Sequence, residues 1–218
     1  MALERDESSL YDSVVVTHNN RYMGVVTVKD LLQTAISIQG TRAVEVNPLT
    51  KMPGNIAIEN EANNRIISNS KFGLIYLDID NFKAYNDLYG FNNGDLMIKA
   101  VAECISESCM CGEFMGHIGG DDFIIITSHW ELDELCKTII NKFINKIKIL
   151  YTDEDLIRGR ISSTDRNGNA AEFGIATLSM AVVTNRYKSF KKYDEISKEL
   201  AFVKKRCKQI NGNVILGA

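Results

Sequence analysis

The chain has no surplus of positive charge, no long apolar run, no disulfide framework and no histidine set in a catalytic pattern, and each lack removes a class of function. With 25 Lys and Arg against 28 Asp and Glu, the net charge of −3 argues against nucleic acid as the main partner. No apolar stretch approaches the roughly 18 residues that a membrane span needs, and no signal peptide opens the sequence, so no membrane contact is expected of this segment. Five cysteines, an odd number without a bridging framework, fit free thiols in a reducing cytoplasm. Cys109 and Cys111 have no second pair to complete a metal site and read as packing. His18 and His129 flank turns with no partner pattern in the sequence around them, and His117 lies on a strand. What remains, 218 residues of which 45% are hydrophobic and 24% charged, can bury one good core.

The most informative stretch is His117-Ile118-Gly119-Gly120-Asp121-Asp122-Phe123, two glycines and two carboxylates between the apolar segments EFMGHI and FIIIT. Both flanks read as strands, which makes the centre a hairpin tip where glycine permits backbone angles and close approach denied to other residues. A phosphate or a metal could lie against such a turn; so could nothing at all, with Asp serving as an ordinary turn former. A second acidic segment stands about forty residues upstream, where KFGLIYLDID ends in Asp78 and Asp80. A buried strand that stops in carboxylates is a common way to hold a metal. Asp80, just before NFKAYND, is also placed to cap the short helix expected there.

Along the chain, SVVVTHNNRYMGVVTV reads as two strands turning at Asn19 and Asn20, followed by helical spacing in VKDLLQTAISI. From Asn55 onward helices and strands alternate: NIAIENEANNRIIS a helix, KFGLIYLDI a central strand, NGDLMIKAVAECI a crossover helix, then the hairpin. Leu132, Leu135, Cys136, Ile139, Ile140, Phe143, Ile147 and Leu150 form a helical stripe that belongs to the core. FGIATLSMAVV is read as one strand, YDEISKELAFVKKRCKQ as the last helix and NVIL as a short edge strand. The sum is an α/β (α+β) domain with a palm-type, ferredoxin-like β-α-β-β-α-β core, a central antiparallel sheet flanked by helices. Between Leu150 and Phe173 lies an insertion whose DRNGN suggests an extra hairpin and which carries no functional assignment.

Together these motifs resemble the GGDEF family of diguanylate cyclases. Its D-x-D-x-F-K-x-x-N-D-x-x-G-x-x-x-G-D run is met at Asp78, Asp80, Phe82, Lys83, Asn86, Asp87, Gly90, Gly94 and Asp95; its G-G-[DE]-E-F hairpin is met except for Asp122 in place of Glu; and Asn47-Pro48-Leu49-Thr50 with MPGN resembles its opening motif. The resemblance implies condensation of two GTP into cyclic di-GMP, with Mg²⁺ (or Mn²⁺) held by Asp78, the Ile79 carbonyl and Asp121, and with Asp121, Asp122 and Lys83 as the catalytic set. It further implies that Asn86 and Asp95 hydrogen-bond the guanine, that Phe82 and Lys83 sit where the backbone loops over the phosphates, and that Lys204 and Lys208 contact phosphate. Lys208 stands where Arg is more common, a point charge for a bidentate fork. The family's R-x-x-D product-inhibition motif is missing, its ends being Met110 and Glu113. A transient homodimer is implied, because one domain holds one GTP. Residues 1–40 resemble half of a CBS module with a linker helix and residues 41–218 the GGDEF domain, which suggests a fragment of a longer protein with further signalling domains. The alternative is a degenerate domain that binds GTP and acts as a regulatory module.

Overall fold

The computed structural model describes residues 13–31, 46–164 and 168–218. By contacts the chain divides into two units, Met1–Glu45 and Val46–Ala218. In the first, β1 (Val14–His18) and β2 (Arg21–Val26) form an antiparallel hairpin. Asn19 and Asn20 turn it with φ of 48° and 59°, the left-handed pair that a two-residue hairpin loop favours. Residues 28–31 are helical, and Thr27 and Asp30 cap that start reciprocally: the Asp30 amide donates to the Thr27 hydroxyl at 3.1 Å, and the Thr27 hydroxyl donates to the Asp30 carboxylate at 2.6 Å. The rest of the expected VKDLLQTAISI helix lies outside the described residues.

The second unit is built on β3 (Gly73–Ile79), in which all but Tyr76 are buried. Helix α1 (Asn55–Ile67) precedes it, and α2 (Phe82–Tyr89) and α3 (Phe91–Ser106) follow. Next come the hairpin β4 (Phe114–Gly119) and β5 (Asp122–Thr127), helix α4 (Asp133–Lys146), a 3₁₀ turn Ile147–Leu150 and the short helix α5 (Asp153–Arg158). The hairpin β6 (Arg160–Thr164) and β7 (Ala170–Gly174), strand β8 (Leu178–Thr184), α6 (Tyr193–Cys207) and β9 (Val214–Gly217) complete it. The sheet order is β4-β5-β3-β8-β9, antiparallel except for the parallel β8–β9 edge. This is the expected α+β architecture, with helices on both faces.

Strand alternation sorts the two faces. Ile75, Leu77 and Ile79 of β3 with Phe123 and Ile125 of β5 pack against Tyr85, Met97, Val101, Ile105, Ile139 and Phe143. Leu74, Ile124 and Ile126 turn to the other side, against Ile58, Ala62, Ile196, Leu200 and Val203. Asp78, two residues on from Tyr76, and Asp122, two before Ile124, therefore face α1 and α6. The helical stripe through α4 is core as expected, with Leu132, Cys136, Ile139, Phe143 and Ile147 buried.

The structure corrects one strand. FGIATLSMAVV is divided: Phe173 and Gly174 end β7, which pairs with β6, and β8 begins at Leu178. Between them the backbone changes partners. The Ala176 amide donates to the Tyr151 hydroxyl at 3.0 Å, outside any ladder, whereas the Thr177 carbonyl, accepting from the Asp80 amide at 2.8 Å, is already in the register of β3 with β8.

Candidate active site

The hairpin tip forms because Gly119 and Gly120 take φ of 151° and 59°, which lets the chain reverse between the two strands and leaves Asp121 at the turn. His117, from the strand before it, is buried and joins three parts. Its Nε2 meets the Gly120 carbonyl at 3.0 Å, its Nδ1 meets the Thr50 hydroxyl at 3.0 Å, and its ring stacks on Phe123 at 4.3 Å. A carbonyl can only accept, so Nε2 carries the proton and Nδ1 accepts from Thr50. Burial lowers the pKa of His117, which favours this neutral form. The opening motif is thus fastened to the tip through a residue the sequence reading left without a role; a histidine two residues before the glycine pair was the only local signal.

Register brings the acids together. Asp78 pairs with Asp122 across β3 and β5, a like-charge juxtaposition that costs free energy unless neutralised. Lys204, in the last turn of α6, supplies the counter-charge: its ammonium lies 2.8 Å from Asp78 Oδ2 and 2.9 Å from Asp122 Oδ1, and it donates to the Tyr76 hydroxyl at 2.9 Å. Lys208, one turn on, contacts the other oxygen of Asp78 and lies 2.6 Å from Asp80 Oδ1. Burial draws the Lys208 ammonium down to about 8, while the two carboxylates it touches favour its charged form. Asp80 does not cap α2, contrary to the expectation. Its carboxylate accepts from the Thr177 and Ser179 hydroxyls at 2.9 Å, the N-cap position is Asn81, and no side chain caps the helix.

Asp78, Ile79, Phe82, Lys83, Asp121 and Lys208 line one cleft of about 1170 Å³, which Thr164, Glu172 and Gly174 of the β6–β7 insertion also line. Lys83 is exposed at the first turn of α2. Burial pushes the Asp121 carboxyl up, its own backbone amide pulls it down and the adjacent Asp122 charge pushes it up. Such a carboxylate gains from a cation. Among the described residues no three His, Cys, Asp or Glu side chains group into a cage. Two carboxylates and one strand-end carbonyl on the cleft wall instead fit a hard cation that completes its oxygen shell with phosphates and water.

Asn86 and Asp95 lie apart from that lining, at the junction of α2 and α3. The Asn86 Oδ1 is buried without a hydrogen-bond partner, an arrangement that costs about 1–3 kcal/mol unless a donor arrives. It rests against Gly94, where a Cβ would stand 1.8 Å from it. Asp95 is exposed beside it in sequence.

Residues 44–163, more than half of the chain, match the family described as "Diguanylate cyclase, GGDEF domain". The chain belongs to the GGDEF family. Among curated relatives, the bifunctional diguanylate cyclase/cyclic di-GMP phosphodiesterase MucR of Pseudomonas aeruginosa is 30% identical over 107 residues, 47% of this chain and 16% of that protein. The diguanylate cyclase DgcP of Escherichia coli is 39% identical over 59 residues, 27% of this chain and 17% of its own length, and the cyclic di-GMP phosphodiesterase PdeR of the same organism is 27% identical over 105, 47% of this chain and 16% of its length. The chain therefore spans about a sixth of these GGDEF relatives. The fold is shared with the GGDEF domain of DgcB from Caulobacter crescentus, solved in complex with c-di-GMP: the TM-score is 0.59 at 19% identity, covering 79% of this chain and 95% of that one.

Proposed function

We propose that the chain is a diguanylate cyclase that joins two GTP into cyclic di-GMP with release of two pyrophosphates. The observation that carries this reading is the convergence of Asp78, Ile79, Phe82, Lys83, Asp121 and Lys208 on one cleft. In the reaction each 3′ hydroxyl attacks the α-phosphate of the other nucleotide, so catalysis rests on placement and neutralisation of charge. Asp78, the Ile79 carbonyl and Asp121 would hold Mg²⁺ or Mn²⁺, which supplies positive charge to the phosphates. Lys83, Lys204 and Lys208 add ammonium groups for phosphate, and Lys204 keeps Asp122 in place. Asn86 Oδ1 offers an acceptor to the guanine N–H edge and Asp95 a second one. Each domain holds one GTP, so turnover requires two copies facing one another, and the compartment is the cytoplasm. Residues 41–218 form the cyclase domain, and the preceding β-β-α segment is the remnant of a CBS-like regulatory region in a longer signalling protein.

The test is incubation of the purified chain with GTP and Mg²⁺, with cyclic di-GMP detected by chromatography. A second reading, a GTP-binding regulatory module, is favoured by the short Asp122 side chain engaged by Lys204 at 2.9 Å and by the likeness to PdeR, which is named a phosphodiesterase. GTP binding without product at high protein concentration selects it.

Product inhibition through residues 110–113 is not expected. Met110 offers no guanidinium, and the Glu113 carboxylate is engaged by the Met110 amide and by His129 Nε2, both at 2.8 Å. Calorimetry with cyclic di-GMP should give no tight binding there; tight binding that disappears on changing Met110 or Glu113 would refute this.

A further inference from the structure

The insertion between α4 and β8 grips the helix that carries Lys83 and Asn86. Tyr85 and Tyr89 of α2 and Tyr151 form a ring cluster with centroids 4.8, 5.0 and 5.5 Å apart. The Tyr85 hydroxyl donates to the Leu150 carbonyl at 2.7 Å. The Tyr89 hydroxyl donates to the Asp155 carboxylate and accepts from the Thr152 amide at 3.3 Å. Asp155 is buried and also engages Arg158. It is fixed in place by α5, which Thr152 caps by accepting from the Asp155 amide at 3.2 Å and which Gly159 ends in the left-handed conformation. At the other end of α2, Asn81 Nδ2 donates to the Gly174 carbonyl at 3.1 Å.

Tyr89 is also the last residue of α2, next to the Gly90 that joins it to α3. Its carbonyl accepts from Asn93 Nδ2 at 2.7 Å, and the next residue, Gly90, donates its amide to the Asn86 carbonyl at 2.9 Å and accepts from the Gly94 amide at 3.2 Å. One residue therefore joins the insertion, through its hydroxyl, to the junction flanked by Asn86 and Asp95, through its backbone. We propose that the Tyr89–Asp155 hydrogen bond positions the guanine-recognising residues, so that the Tyr151–Arg158 segment is a determinant of base selectivity. The proposal rests on the reading of Asn86 and Asp95 as guanine ligands. Tyr89 and Asp155 act through them and are positioning residues.

Tyr89→Phe keeps the ring cluster and removes only the hydroxyl. Calorimetry of GTP and of ATP binding in Mg²⁺ should show GTP weakened about tenfold, the scale of a misplaced hydrogen bond, with ATP affinity unchanged. Asp155→Ala should do the same, whereas Asp155→Asn, which keeps an acceptor oxygen for the hydroxyl, should retain most of the GTP preference. A merely structural contact would weaken both nucleotides alike. Equal loss for GTP and ATP, or no change in either, in both Tyr89→Phe and Asp155→Ala overturns the proposal. Asn86→Ala separates the two levels: if it lowers the GTP preference while Tyr89→Phe does not, only the positioning role fails; if it has no effect, the guanine reading fails and takes the proposal with it.

Discussion

Replacing Asp121 by Asn is expected to lower cyclic di-GMP formation by about three orders of magnitude, the loss of several kcal/mol of charge stabilisation at roughly 1.36 kcal/mol per decade. The substitution keeps the shape of the side chain and removes its charge. At the hairpin tip that charge is costly, because burial and the neighbouring Asp122 both disfavour it. Asparagine relieves both terms, so the melting temperature should stay level or rise while turnover collapses. Opposite movement of stability and activity marks a residue kept for chemistry rather than for folding. Chromatographic assay of product beside a thermal melt of the same preparation checks it. Normal product formation by Asp121→Asn would remove Asp121 from the proposed set of metal ligands.

Much of this site was readable from the chain because its parts are short, contiguous motifs at the ends of strongly patterned strands. A β3 that is apolar up to Asp78, its second-last residue, and a glycine pair between two apolar runs announce themselves within ten residues. What escaped depends on partners far away in sequence. Asp80 has a local role available, capping α2, and sequence offers no view of Thr177 and Ser179, which lie 97 and 99 residues further on and take its carboxylate instead. The same limit hid the division of FGIATLSMAVV, since strand propensity carries no record of where a segment exchanges one partner for another. His117 and Tyr89 were overlooked for a related reason. Each sits in an ordinary strand or helix pattern, and what sets it apart is a bond to a distant partner, Thr50 for His117 and Asp155 for Tyr89. The Asp78–Asp122 pairing, by contrast, follows from register and so only from the assembled sheet.

Gly94→Ala tests the proposed guanine-binding role of Asn86 through the glycine it rests against. In an ordinary helix this change stabilises by roughly 1 kcal/mol, since glycine is a poor helix former. Here the new Cβ would stand 1.8 Å from Asn86 Oδ1 and 2.8 Å from its Cγ, so the amide must leave its place or α2 must part from α3. Asn86 held away from the base should weaken GTP binding by about ten- to a hundredfold, the value of a buried hydrogen bond left unmade. Calorimetry in Mg²⁺ reads the affinity, with ATP as the nucleotide that does not report on guanine contacts. The double variant with Asn86→Ala sharpens the result. With the side chain removed the methyl has room, so the two changes should be strongly non-additive: Gly94→Ala should cost affinity in the wild-type background and nothing further in Asn86→Ala. Unchanged GTP affinity in the single variant would mean that Asn86 does not touch the base, and guanine recognition would then have to come from elsewhere.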